Sequence, residues 1–549
     1  MSKPTRRDLL ALAAGTVAAA AVSKPAAAAS ASEMEDPAKR KPRNSWGRTY
    51  EGQRCADRGD GTFLNPILAG PNADPSILKD GDDYYLAFSS FEADPGLLIW
   101  HSRDLVNWRP FVNALPAPIG SVFAVDLVKH QGRYFIYIPF IPTSWSTELN
   151  EGAAIYVIHA DSMRGPWSRP VDLGIRGMID PGHAVGEDGR RYLFLSAGHR
   201  VRLSADGLAT DGPVEKVYQG WKYPDDWVTE AYALEGPKML RRGDWFYMVS
   251  AVGGTAGPPT SHMVIAARSR SIHGPWEECP HNPIVRTRSA SEAWWSRGHA
   301  TLVEGPEGDW WMVYHGFENG FRSLGRQCLL EPVEWTADGR FRAKGGDLSR
   351  PLRKPRGGSA QVHGFPRSDA FAAAALGTRW TFHGPGRNES RRAEFGADGL
   401  LLRAKGTGAH DSSPLVNPVG DRSYEVTVQL ELAGAAQGGL LLFLSSRLFL
   451  GMAIDGQRMI TYGAGREHHW RETVPACRRI WLRIENREQI VTMHYSLDGT
   501  VWQRHGLRLE CSGYNINTAM PGEGEGLQPA IFASGTGAVR FRDFRYRAL

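Results

Sequence analysis

The chain has 549 residues, 42% of them apolar and 22% charged, ordinary globular usage that excludes a mostly disordered or collagen-like polymer. The formal net charge is +5, too small a surplus on this length to call for a nucleic-acid partner. Eighteen Trp, 62 Gly and 35 Pro among short β-branched and aromatic runs exclude a helical bundle and predict many strands joined by tight turns.

Residues 1–29 open with Thr5-Arg6-Arg7-Asp8-Leu9-Leu10, pass through an Ala-rich apolar run from Leu9 to Val22 and end in Ala26-Ala27-Ala28-Ala29. A basic start, a short apolar middle and small residues before a cut predict an export signal, and the paired arginines predict the twin-arginine type. The apolar run falls short of the ~20 residues that span a bilayer. A later apolar stretch, Gly438 to Ile454, is interrupted by Ser445, Ser446 and Arg447. The expectation is export to the periplasm or exterior, with no membrane insertion once the signal is removed. An N-terminal extension follows over 30–62. The cysteines (Cys55, Cys279, Cys328, Cys477, Cys511) are odd in number and widely spaced, so they specify neither a disulfide framework nor a metal motif.

From residue 63 a weak repeat sets in. Five times a Gly turn leads into an aromatic-rich strand: Gly81-Asp82-Asp83-Tyr84-Tyr85, Gly132-Arg133-Tyr134-Phe135, Gly189-Arg190-Arg191-Tyr192, Gly243-Asp244-Trp245-Phe246 and Gly308-Asp309-Trp310-Trp311. The spacings are 51, 57, 54 and 65 residues. Three units also share a closing phrase that ends in Trp108, Trp167 or Trp276. Units of this size, each holding several short antiparallel strands, predict an all-β fold with a five-bladed propeller over 63–343. A basic stretch rich in Pro and Gly, 344–368, reads as a linker. Over 369–549 the repeat vanishes, and alternating runs such as Tyr424-Glu425-Val426-Thr427-Val428-Gln429-Leu430 predict a β-sandwich.

Acids and one histidine occupy similar places in the repeat. Asp74, Asp126, Asp180, Glu235 and His299 lie 7, 6, 9, 8 and 9 residues before their turn glycines. Equivalent ends of inner propeller strands converge at one mouth of the channel, so these groups become neighbours. Outside a repeat, Asp74 and Asp180, each before a proline, would read as turn residues. Gathered carboxylates raise one another's pKa values, the condition for pairing a protonated acid with an ionised base in glycosidic bond cleavage.

Local phrases sharpen this. Asn72-Ala73-Asp74-Pro75, Ser89-Ser90-Phe91 and His101-Ser102-Arg103-Asp104, then Ile179-Asp180-Pro181, Leu234-Glu235-Gly236-Pro237, Gly298-His299-Ala300 and Gly325-Arg326-Gln327, resemble in order the motifs of glycoside hydrolase family 43. The tail resembles the concanavalin-like sandwich of the family's β-xylosidases, through Asp369-Ala370-Phe371, Asp421-Arg422-Ser423-Tyr424 and Ser496-Leu497-Asp498-Gly499. The resemblance implies an inverting hydrolase that releases xylose or arabinofuranose from plant-type oligosaccharide or polysaccharide, and the appended sandwich, able to block one end of a cleft, points by analogy to exo action. It implies Asp74 as general base, Glu235 as general acid and Asp180 as the carboxylate that orients and tunes the acid. Arg326 would contact a sugar hydroxyl, Phe91 would wall the subsite, and His299 would support the site directly, through water or through a cation such as calcium. No organic cofactor is implied. The alternatives are the same mechanism on another glycoside, such as a galactoside, and a non-catalytic carbohydrate-binding propeller. Three places depart from the family pattern: Ala93-Asp94, Phe123-Ala124-Val125-Asp126 and the insertion Trp221-Lys222-Tyr223-Pro224-Asp225-Asp226-Trp227. They leave the substrate more open than the reaction.

Overall fold

The computed structural model describes residues 45–143, 152–373, 375–384, 389–469, 474–518 and 525–549. The expected export signal, and the extension up to residue 44, lie outside them.

Five antiparallel sheets carry the repeat, and their first strands are Ser76–Asp80, Asp126–His130, Gly182–Val185, Glu235–Arg242 and Trp294–Glu304. Each touches the next and the last touches the first, which closes a five-bladed ring. The aromatic-rich second strands are largely apolar because both of their faces are buried between neighbouring blades. In Asp83–Ala87, Tyr84 and Leu86 pack with Trp311 and Val313 of blade 5, whereas Tyr85 and Ala87 pack with Leu127 and Ile136 of blade 2. In Trp245–Val252, Tyr247 and Val249 face blade 5 while Phe246 and Met248 face blade 3.

The chain entering blade 1 seals the ring against blade 5. Ile67 N–H donates to the Cys328 carbonyl (2.9 Å) and Asn72 N–H to that of Arg326 (2.8 Å). The Asn65 side chain exchanges two hydrogen bonds with the Leu330 backbone (3.0 and 2.9 Å). The 344–368 stretch, expected as a linker, is packed along the propeller, although Lys344, Arg350, Arg353 and Arg356 stay exposed. Leu352–Arg353 pairs with Thr62–Phe63, Phe365 is buried beside Trp100, and Lys354 reaches Asp57 (2.6 Å) and Asp104 (3.1 Å). Buried Asp104 and half-buried Asp57, sharing one ammonium, explain why Lys354 is not simply hydrated.

The second module is built on two long paired strands, Ser423–Ser445 and Gln528–Ala548. Tyr424, Val426, Val428 and Leu430 alternate inward and the residues between them are half-buried, as predicted. The apolar stretch 438–454 becomes a hairpin in this core, where it pairs from Gly438↔Ile454 to Ser445↔Leu448. None of the five cysteines forms a disulfide.

The sandwich docks on the propeller by strand pairing and by buried charge. Ala93–Asp94, one of the departures, adds to the sandwich strand Thr381–His383 with Phe382 opposite Asp94. Glu318 of blade 5 takes Arg54 (2.9 Å), Arg422 of the sandwich (2.5 Å) and the Gln327 amide (2.9 Å). Burial opposes the ionised form of Glu318, but the two guanidiniums outweigh it and hold the carboxyl at about 2. Its stabilisation is therefore complete above the ordinary 4.5 and lost as pH falls towards 2. Glu318→Ala leaves Arg54 buried without its carboxylate, and such a loss costs about 3–5 kcal/mol. Thermal scans should show a midpoint several degrees lower at pH 7, with the deficit shrinking between pH 4.5 and pH 2; equal midpoints at pH 7 would contradict this network.

Candidate active site

Three site residues share one backbone device. Asp74 (φ +57°), Asp180 (φ +58°) and His299 (φ +59°) all adopt the left-handed conformation at the inner strand of their blades. Such a residue costs of order 1–3 kcal/mol and persists where the surroundings enforce it. Asp74 and Asp180 adopt it even before proline, a position that ordinarily favours extended backbone.

Asp74 is buried and fully engaged. Oδ1 accepts from Arg326 Nη1 (2.8 Å), Oδ2 accepts from Ser89 Oγ (2.5 Å), and its own N–H donates to His315 Nδ1 (3.1 Å). Asp180 is equally buried, and its Oδ2 accepts the N–H of Gly236 (3.0 Å), the residue next to Glu235. Gly236 sits at φ +62°, and a Cβ there would lie 2.9 Å from the His299 ring. The acid is thus followed by the one residue type that lets histidine and carboxylate share the axis. Glu235 keeps 20% of its side chain accessible against 8% for Asp74, so it is the acid open to the pocket. His262 Nδ1 lies 3.7 Å from Glu235 Oε1, and His299 Nδ1 lies 3.5 Å from Asp74 Oδ1. His299 is thus close to both carboxyls, since one of its ring nitrogens also lies within 4.8 Å of a Glu235 oxygen.

Electrostatics separate the carboxylates. Burial pushes Asp74 up, but the Arg326 guanidinium carries it well below the usual range. His299 and His315 are themselves driven by burial to about 3 and about 4, so near neutral pH the guanidinium is the charge that counts. Burial first, then the Asp74 charge, lifts Asp180 to about 7. Burial, with Asp180 and Asp74 close by, raises Glu235 well above its ordinary value. One ionised and one neutral carboxyl in the same mouth is the division of labour that acid–base chemistry needs.

The lifted Asp180 has a cost that can be measured. Its folded pKa exceeds the ordinary 3.8, so its stabilising contribution is full below 3.8 and gone above about 7. Asp180→Asn, which stays neutral and can still accept the Gly236 N–H, should melt a few degrees above the parent at pH 8. The gap should narrow as pH falls to 5, while turnover drops at both pH values. A gap that widens on acidification would contradict this ionisation.

The remaining predicted residues converge here too. The Arg326 guanidinium lies 5.6 Å over the Phe91 ring, and Phe91 meets Phe123 edge-on at 5.3 Å. Asp126, by contrast, belongs to the scaffold. It pairs with buried Lys238 (2.9 Å), whose ammonium also donates to the carbonyls of Val125 (2.6 Å) and Pro181 (3.1 Å). Sequence reasoning assigned no role to Ser89, Phe123, Thr255, His262, His315 or Glu525, all of which border Asp74, Glu235, Phe91 or Arg326. Ser89 and Phe123 at least stood in phrases that had drawn notice. His262, stacked on His315 at 5.2 Å, and Glu525 carried no local signal.

A metal has one candidate set among the described residues: Glu235, His262 and His299, whose ligand atoms lie within 4.8 Å of one another. Both ring nitrogens of His262 and Nε2 of His299 are buried without hydrogen-bond partners. Two imidazoles and one carboxylate do not fit calcium, which takes six to eight oxygens. The set would also occupy the open acid.

The Glycosyl hydrolases family 43 model matches residues 63–341, and the β-xylosidase C-terminal concanavalin A-like domain matches 368–547. The chain belongs to glycosyl hydrolase family 43. Family 43 membership makes it a glycosidase. It is 29% identical to a xylan 1,3-β-xylosidase of a Vibrio species, over 88% of this chain and 98% of that protein. It is 34% identical to the non-reducing end α-L-arabinofuranosidase BoGH43B of Bacteroides ovatus, over 58% of this chain and 61% of that one. The crystal structure of the family 43 protein BlXynB from Bacillus licheniformis superposes with a TM-score of 0.78 at 26% identity, covering 89% of this chain and all of that one.

Proposed function

We propose that this family 43 glycosidase removes terminal xylosyl or arabinofuranosyl units from plant-type oligosaccharides with inversion. The observation that carries the reading is the mouth shared by ionised Asp74 and neutral Glu235, with His299 close to both. Asp74 takes a proton from water as that water attacks the anomeric carbon. Glu235 gives its proton to the departing oxygen. Asp180 holds the Gly236 N–H and, after burial and together with Asp74, helps keep Glu235 protonated. An inverting pair must leave room for that water, ~6.5–9.5 Å between carboxyls. Arg326 and Phe91 bind the sugar, and the chemistry needs no organic cofactor.

Exo action is supported by the sandwich, which lies against one side of the mouth through Glu525. Both sugars are supported by the relatives, a xylosidase and an arabinofuranosidase. Export rests on the leader segment alone.

Proton NMR of a fresh digest of arabinoxylan oligosaccharides tests the reading, because it reports the freed monosaccharide and its first anomer. Free xylose or arabinose, with its anomeric configuration opposite to that of the bond cleaved, is the expected result. A retained configuration would overturn Asp74 as the water-activating base, and release of galactose alone from a mixed panel would overturn the substrate class.

A further inference from the structure

Arg326 is gripped from the sandwich side. Its Nε and Nη2 donate to the two oxygens of Glu525 at 2.8 and 2.6 Å, which leaves Nη1 for Asp74 Oδ1 (2.8 Å) and Thr255 Oγ1 (3.3 Å). Both partners are buried, Arg326 at 5% and Glu525 at 7% exposure. A guanidinium is a rigid planar fork, so a carboxylate that takes two of its N–H groups sets the direction of the others.

The backbone is arranged to bring Glu525 there. Leu527 N–H donates to the Ser323 carbonyl (2.7 Å), and Gln489 on another sandwich turn donates to the Gly320 carbonyl (2.6 Å). Gly325, directly before Arg326, sits at φ +79°, and a Cβ there would lie 2.6 Å from the Glu525 carbonyl oxygen. Asp74 and Glu525 thus share one guanidinium. A second buried carboxylate on a cation that already has a partner is a poor source of stability, because its desolvation offsets its attraction. A geometric role accounts for it better.

We propose that Glu525 is a positioning residue for the reaction: the sandwich supplies the carboxylate that aims Arg326 at Asp74 and into the sugar pocket, so the propeller by itself is an incomplete catalyst. This rests on the hydrolase reading above.

The test uses the full chain, matched nitrophenyl xyloside and arabinofuranoside, and the variants Glu525→Ala, Glu525→Gln, Arg326→Ala and the Arg326→Ala/Glu525→Ala double. Glu525→Ala should lower kcat/KM about 10- to 100-fold, the size expected when a positioned group shifts by about 1 Å. Glu525→Gln, which keeps one acceptor, should lose less. In the Arg326→Ala background Glu525→Ala should cost no more than about twofold, because the carboxylate acts only through the arginine. A purely structural role would give losses that add. Additive losses, or kcat/KM within about threefold of the parent for both single Glu525 variants, would overturn the proposal. If Glu525→Ala does not fold, Glu525→Gln and its double with Arg326→Ala decide by the same criteria. A parent active on either glycoside, with Glu525 variants equally active, defeats this inference alone; a parent inactive on both defeats the xylosidase and arabinofuranosidase reading and this inference with it.

Discussion

Glu235→Gln is expected to lower kcat/KM on an unactivated xylo- or arabino-oligosaccharide by about 10³-fold or more, within the range assigned to a positioned general acid. The leaving alkoxide of a sugar is a strong base and cannot depart without a proton. Glu235 holds that proton because burial and the nearby Asp180 and Asp74 raise its pKa well above the ordinary 4.5. A nitrophenolate leaves unaided, so on a nitrophenyl glycoside the same variant should lose far less, and the basic limb of its pH profile should flatten. The amide has the shape of the neutral acid, so the thermal midpoint at pH 7 should stay close to that of the parent. Steady-state kinetics on both substrates, with a melting scan, check this. An equal loss on the two leaving groups would remove Glu235 from the role of acid.

Asp74→Ala should be equally damaging, about 10²- to 10⁴-fold, but blind to the leaving group, because water must be activated whatever departs. Two further effects separate it from Glu235→Gln. Removing the Asp74 charge takes away one of the influences that raise Glu235 and Asp180, so the basic limb of any residual activity should move to lower pH. Arg326 also loses one of its two carboxylates, and the midpoint should fall. A variant that keeps activity on nitrophenyl glycosides, or whose basic limb moves upward, would contradict this assignment.

Much of this site was legible because a repeat converts sequence position into spatial position. Asp74, Asp180, Glu235 and His299 precede equivalent turns, and a ring of inner strands has only one axis at which such residues meet. The same reasoning drew in Asp126, which is in register with the others yet is bound to Lys238. Register places a residue near the axis, but its partners determine whether it faces the pocket. Glu525 shows the opposite limit. It lies 199 residues from Arg326 and outside the repeat, so nothing near it in the chain marks it.

The two-module all-β architecture and the set of acids followed from the amino-acid order alone, because alternation, turn glycines and repeat spacing are local properties that survive in one dimension. The ionisation state of each carboxyl, the neutral histidines beside them and the reach of the sandwich into the mouth were decided only when the ring closed. Burial and charge proximity are properties of what surrounds a group, and here the surroundings come from five blades and a second module.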